Sequence, residues 1–444
     1  VGLGNADNTS DANKPISTAT QSALNLKANL ASPTFTGTVG GITKSMVGLG
    51  SVDNTADSAK PVSTAQQAAL DLKAPLASPA FTGNPTGITK SHVGLANVDN
   101  TSDASKPAST AQLQAMAQGV HAVGAGIDAT GASDSTTAIQ AKIDAAATSP
   151  YGKAVYLPAG TFLCAGLTLP SGVSLFGFGT VLQAPSAATV PILTIAGSVD
   201  CTVRGITFKG NLSQYSADGL SSPSGTQEGI RIDDSAELLV IEDCWFRNFG
   251  FAGLRAQTVG NPTTGSRFDG CTNSITNCQA ENCYYGFQVD TRAEYITFTN
   301  CTAIKNRFGM QIKGGNTKLL GCSINTNYLG LHIANDTNSG HGSAVGCLIN
   351  HNSNIAIQVD EQANGFMFSG CQIFYGIVYL YLAGGVMFGN CTFGAVTIRA
   401  QGGGKNLLND NFITGGTTMT HNYNSVTSSV TMHNNYRVDG TALT

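Results

Sequence analysis

Charge is scarce in this chain. Among 444 residues there are 23 Lys and Arg and 27 Asp and Glu, 11% together, with a net charge of −4. A balance this thin leaves no basic footprint for nucleic acid, which is therefore excluded as an expected partner. Long apolar runs are missing as well: none approaches the ~20 residues of a membrane-spanning helix, and no secretory leader is visible. Membrane insertion is not expected. The eleven cysteines include no Cys-x-x-Cys pair, which removes zinc-ribbon and redox-motif readings. Their odd number, in a chain with 41% hydrophobic residues to build a core, speaks against a disulfide scaffold. That hydrophobic content also argues against disorder outside the repeats described next.

What the chain does have is repetition. "VGLGNADNTSDANKPIST" from Val1 returns as "VGLGSVDNTADSAKPVST" from Val47 and "VGLANVDNTSDASKPAST" from Val93, at a constant interval of 46 residues. Between them, "LNLKANLASPTFTG" from Leu24 returns as "LDLKAPLASPAFTG" from Leu70. A fixed period of this length marks an array of small structural units. Each unit holds one helical stretch, "STAQQAALDLK" in the second copy, with a capping-box pattern expected at Thr64 and Gln67, and at Thr18 and Gln21 in the first copy. About a dozen helical residues are marginal alone in water, so order must come from neighbours, most simply from identical parallel chains.

These phrases resemble the tail-fibre repeat of bacteriophages. The resemblance covers residues 1–110 and implies an elongated, trimeric connector in a virion tail, assembled in the host cytoplasm. The sequence opens inside a repeat and without an initiating Met, so a preceding part that docks to other tail or baseplate proteins is expected.

The second half repeats differently. Seven cysteines are each followed two residues later by an apolar residue: Cys244, Cys278, Cys301, Cys322, Cys347, Cys371 and Cys391. An Asn follows the first five after four or five residues: Asn248, Asn282, Asn306, Asn327 and Asn352. Then comes a small–apolar–polar–apolar run, as in "GFQVD" from Gly286 and "GMQIK" from Gly309. Short alternating runs, a turn residue at fixed offset and a period near 23 describe coils of a parallel β-helix. The Cys then form a buried ladder of small hydrophobes, and the Asn a ladder at a turn.

Upstream, "GASDSTTAIQAKIDAAA" reads as a helix with Asp134 as N-cap and with Ala138, Ile139, Ile143 and Ala146 on one face. "AVYLPAGTFLCAGLTLPSGVSLFGFG" follows, with turns at Pro158–Gly160 and Pro170–Gly172. This order of helix and motifs resembles the start of a pectate-lyase-superfamily domain as found in phage tailspikes, over about residues 120–440. The expected fold is all-β: a right-handed parallel β-helix of about twelve coils, with an N-terminal capping helix, preceded by the repeat shaft, in a homotrimer. The expected domains are repeats at 1–118, linker and capping helix at 119–150, and β-helix at 151–444.

On such a helix, one outward ladder reads Arg231, Arg255, Gln288, Gln311, His332 and Gln358. Two residues on come Asp233, Gln257, Asp290, Lys313, Ala334 and Asp360. Carboxylates, amides and guanidinium groups suit sugar hydroxyls and anionic glycans. The phrases around Asp233–Glu237–Cys244 and Asp290–Glu294–Cys301 share one offset of 57 residues, which places Asp233 and Asp290 two coils apart, ~9–10 Å. That is near the separation in inverting glycosidases, ~6.5–9.5 Å, where one carboxyl protonates the leaving oxygen and the other activates water. Asp233 and Asp290 are thus the expected catalytic pair, with Glu237, Glu294 and Asp360 as reserves. Arg231, Arg255, Gln288, Gln311, His332 and Gln358 are the expected substrate contacts. Exposed strand-end Asp residues that only keep the solenoid soluble fit the same pattern. A lyase would draw on Arg231, Arg255 and His332. No pattern completes a metal site around His332 or His341, and no cofactor is expected. Loops at 211–228 and 258–272 interrupt the period and stand where a binding groove would be walled. The resemblance implies a protein that recognises a host surface polysaccharide and cleaves it, hydrolysis being favoured over elimination; the alternative is a fibre that only adheres.

Overall fold

The computed structural model describes residues 18–20, 22–23, 40–41, 43, 45–46, 48 and 62–73 of the repeats. From 119 to 443 it describes all but 151, 213–221, 234–235, 258–272, 291–292, 335–339, 362, 364, 382–383, 402–404, 421–428 and 438–441. The chain forms two compact units, Val1–Lys106 and Pro107–Thr444.

In the first unit the helix Thr64–Lys73 is solvent-exposed along most of its described length, Leu70 by 55%. Its capping box sits one residue earlier than the sequence pattern gives. Ser63 Oγ accepts from Gln66 N–H at 3.2 Å, and Gln66 Oε1 accepts from Ser63 N–H at 3.2 Å. The reason is that Ser63 already supplies the first helical carbonyl, to Gln67 N–H at 2.8 Å, so Thr64 lies inside the helix. Residues 18–20 and 22–23 are helical in the first copy; Gln21 lies outside the described residues.

The second unit is a parallel β-solenoid of about ten turns, slightly fewer than the period suggests. The insertions at 211–228 and 258–272 lengthen two turns, so the chain is used up faster than at ~23 residues per coil. Each turn lays one strand on each of three faces. A representative turn is Ile296–Thr299 on the first sheet, Thr302–Ile304 on the second and Phe308–Ile312 on the third. In the middle turns each rung pairs in register with the next, as Phe298 with Leu319 and Ala303 with Ile324; register shifts fall at Phe176/Thr180 and Ile355/Ile357.

The corner between first and second sheets is one left-handed residue followed by the buried Cys. Asp243, Asn277, Asn300, Gly321, Gly346, Gly370 and Asn390 hold φ between 51° and 63°, the region that Asn, Asp and Gly tolerate best. The seven cysteines that follow are buried, and each thiol lies within hydrogen-bonding reach of a backbone carbonyl, as Cys301 Sγ to Ile275 O at 3.3 Å. The ten described cysteines are all free; Cys271 lies outside the described residues.

The asparagines do not form one ladder. Asn306, Asn327 and Asn352 stack inside: Asn327 Oδ1 accepts from Asn306 N–H at 2.9 Å, and its Nδ2 donates to Ala303 O at 2.9 Å. Asn248 and Asn282 instead occupy the left-handed position just before, with φ of 63° and 55°. The difference is a one-residue shift in spacing from the Cys. The small residue of the third-sheet motif has its cause here. A Cβ on Gly309 would stand 2.7 Å from the Asn327 amide and 2.7 Å from Gly330 O.

The helix Thr136–Thr148 buries Ile139, Ile143 and Ala146 on the first turns, and Ala138 is only half-buried. Gln140 pairs with both backbone groups of Thr168, at 2.8 and 3.1 Å, and so closes the edge that the short strand Leu167–Thr168 leaves open. The N-cap residue is Ser135, not Asp134. Ser135 Oγ is engaged by Asp128 N–H at 2.9 Å, and the Asp134 carboxylate takes the Thr136 N–H at 2.8 Å from one residue further out.

Candidate functional site

Alternation on the third sheet sends apolar residues inward and polar ones outward. The outward column runs in register through Arg231, Arg255, Gln288, Gln311, His332 and Gln358, and continues to Tyr379 and Arg399. All six expected substrate contacts are thus neighbours in space. None is fully exposed: Arg231, Arg255, His332 and Gln358 are half-buried, and Gln288 and Gln311, which bond to each other, are 2% and 4% accessible.

The lower part of the column is an alternating ion-pair chain. The Glu228 carboxylate, 1% accessible, binds Arg231 Nε at 2.5 Å and Arg255 Nη1 at 3.1 Å. Arg255 Nη2 also binds Asp290 Oδ2, and Asp290 Oδ1 binds Lys313 Nζ at 3.2 Å. Burial works to lower the Arg255 pKa, yet the bond and charge of Asp290, joined by Glu228, raise it above its ordinary value. The guanidinium also lies 5.0 Å from the Phe251 ring centroid. Beside it, Phe251, Tyr285 and Phe308 form an aromatic row at 5.4 and 5.0 Å, and Phe308 stacks on His332 at 5.7 Å. Burial, then Tyr284 and Asp290, push the Tyr285 phenol up to about 12, so it stays protonated at neutral pH.

The expected catalytic pair is held differently from two open carboxylates. Gln257 lies opposite Asp233 in the register, and Asp290 N–H bonds to Ala256 O, so the two aspartates are two rungs apart as expected. Asp233, however, is only 8% accessible, and Asp290 has a cation on each oxygen. Glu237 and Glu294 lie past the third-sheet strands, in the corner leading back to the first sheet. Glu237 bridges there to Val199, and Glu294, 4% accessible, takes Asn316 Nδ2 at 3.1 Å. The 258–272 loop and most of the 211–228 loop lie outside the described residues.

The upper part is amide, imidazole and carboxylate. Gln311 Nε2 meets His332 Nδ1 at 3.0 Å, His332 Nε2 meets Asp360 Oδ2 at 2.7 Å, and Gln358 Nε2 donates to Asp360 Oδ1 at 2.7 Å. An open groove of about 380 Å³ adjoins it, lined by Gln358, Asp360, Glu361, Tyr379 and Tyr381. His341 is not part of this group; it packs over Gly315. Among the described residues no cluster of three His, Cys, Asp or Glu side chains could hold a metal.

Sequence reasoning missed Glu228, Glu361 and the two tyrosines. Glu228 stands at the end of an insertion, with Ala252 and Tyr285 beside it on the ladder, so no periodic partner announces it. Nor was its spacing of three from Arg231 a signal, since on a strand that spacing assigns the two side chains to opposite faces.

The fold and this face define a parallel β-solenoid. Residues 120–332 match the family model of rhamnogalacturonase A/epimerase, pectate lyase-like. No curated protein matches the sequence. Solved structures with a similar fold include the A-module of mannuronan C-5 epimerase AlgE6 from Azotobacter vinelandii, at 19% identity and TM-score 0.46, covering 72% of this chain and 99% of that one. The enzymatically active domain of tailspike protein 2 from bacteriophage CBA120 is 15% identical, TM-score 0.46, over 67% of this chain and 47% of that one. The N-terminal fragment of gene product 12 from bacteriophage Phi29 is 15% identical, TM-score 0.47, over 73% and 67%.

Proposed function

We infer that this is a phage tailspike or tail-fibre protein whose third-sheet face binds a host surface polysaccharide during adsorption. The observation that carries this is the in-register outward column, with guanidinium, amide, imidazole and carboxylate groups at one strand spacing, flanked by an aromatic row. A rigid array of donors and acceptors at ~4.8 Å intervals suits a long chain of hydroxyls. The tail-fibre phrases of residues 1–110 support a virion component. The exposed helix Thr64–Lys73 supports assembly with identical chains, as a homotrimer.

Cleavage is the finer reading, by hydrolysis at Asp233 and Asp290 or at Asp360, without a cofactor. Loss of a general acid or base costs on the order of 10²–10⁴ in rate. One observation favours the alternative of a pure binder: Glu228 and Asp290 have both oxygens bound to cations, which rigidifies a binding face and leaves neither carboxylate poised as a proton donor. Purified protein spotted on host lawns, followed by reducing-end assay of Asp233→Asn, Asp290→Asn and Asp360→Asn, separates the two. A halo and reducing ends that fall in one mutant establish hydrolysis. Binding without new reducing ends establishes the adhesin. Unsaturated uronate products establish elimination and remove the carboxylates from their roles. Absence of polysaccharide binding altogether sinks the reading.

A further inference from the structure

The groove at the upper end of the column has a chemistry of its own. Tyr379 and Tyr381 are two residues apart on the strand Gln372–Tyr381, so their rings stand on one face, centroids 5.8 Å apart. Tyr381 is 37% accessible, and the Tyr379 hydroxyl is tied to Gln401 Oε1 at 2.5 Å, which fixes its ring.

Asp360 is oriented from below by a one-way relay. Gln288 Nε2 donates to Gln311 Oε1 at 2.7 Å, and Gln311 Nε2 then faces His332 Nδ1 at 3.0 Å. An amide N–H only donates, so Nδ1 accepts and His332 carries its proton on Nε2. That proton points at Asp360 Oδ2. These bonds of Gln288, Gln311 and His332 lead toward Asp360, while Gln311 also bonds to the Tyr285 side chain. The two buried glutamines keep the relay from being rearranged by water. Glu361, the next residue, is exposed on the groove wall. The lining therefore offers two carboxylates and two phenol rings, and no Lys or Arg. Arg399 stands one rung beyond Tyr379 and is not among the lining residues.

We propose that this groove is a saccharide subsite for an uncharged, hydroxyl-rich pyranose unit, and that it rejects uronate units. This rests on the polysaccharide-binding reading above and specifies its ligand. A carboxylate accepts hydrogen bonds from neighbouring hydroxyls, and the bonds are charge-assisted. An aromatic face covers the apolar C–H side of a pyranose. A uronate brought beside Asp360 and Glu361 meets two like charges, and such juxtaposition is how a site excludes a competitor.

The test is binding of the full chain to an array of neutral glucan, galactan and mannan oligosaccharides beside oligogalacturonate and oligoalginate. Wild type is expected to bind a neutral probe. Tyr381→Ala should weaken that binding at least 10-fold with an unchanged circular dichroism spectrum. Glu361→Lys, which alters an exposed side chain, should gain binding to oligogalacturonate at least 10-fold. Should wild type bind only uronate probes, or bind neutral probes unaffected by Tyr381→Ala while Glu361→Lys gains nothing, the groove assignment falls and the wider reading stands. Failure to bind any array glycan or host polysaccharide overturns both.

Discussion

At the scale of single residues, electrostatic placement governs what each polar group does. Asp128 shows it most simply. Its carboxylate accepts from the Thr130 hydroxyl at 2.6 Å and from the N–H groups of Thr130, Ser133 and Ala132. The Thr130 hydroxyl leads in lowering its pKa from an ordinary 3.8 to about 2. A depressed carboxyl contributes stability that is fully present above its unfolded value and is lost as pH falls through its folded value. The loop leading to the capping helix should therefore loosen between pH 4 and pH 2. A carboxyl-carbon NMR titration of Asp128 with a midpoint near 4 would refute this. The cysteines make the opposite case. Burial first, with Asp134 adding for Cys164, pushes the Cys164 thiol up to about 12, and burial likewise pushes Cys283 up to about 12. Thiol reagent should find them inert in the native protein and count all eleven free after denaturation; intact disulfides among them would contradict the stacked-thiol core.

At the scale of elements, corners are held by pairs of residues on different rungs. Asn327 serves Asn306 N–H on one side and Ala303 O on the other, both buried. Asn327→Ala leaves these without partners and should cost about 2–4 kcal/mol. Gly309→Ala presses a methyl against that same amide and should cost about 1–3 kcal/mol. Ala356→Gly, at the motif position where Ala already stands, should cost about 1 kcal/mol or less. Urea midpoints at constant slope measure all three, and equal losses would contradict the account. Much of this level was legible. Alternation gave the third-sheet column residue by residue, and the Cys period gave the stack. The left-handed Asp, Asn or Gly before each of the seven Cys was not read from the sequence, where the turn was placed only at the Asn that follows. Other features were not legible. The Glu228–Arg255–Asp290 bridge joins residues 27 and 35 apart in sequence, so only the register brings them together. Tyr379 and Tyr381 escaped because their strand pairs with the one below through a register shift between Ile355 and Ile357, which breaks the motif there.

At the scale of the whole molecule, residues 18–73 and 119–443 raise different questions. The repeat helix leaves Leu70 55% accessible, and a short helix this exposed is marginal alone in water, which is the ground for expecting a homotrimer. Sedimentation should find a trimer at micromolar concentration; a stable folded monomer would end that expectation. The solenoid makes the central claim, that its third sheet is the face which meets polysaccharide. Hydroxyl-radical footprinting with and without saturating host polysaccharide tests it most directly. Tyr379, Tyr381, Tyr285, Phe308 and His332 should lose reactivity, while Met367 and Met387, 45% and 37% accessible on the first sheet, should keep theirs. Protection of the two methionines with no change at the tyrosines would contradict it.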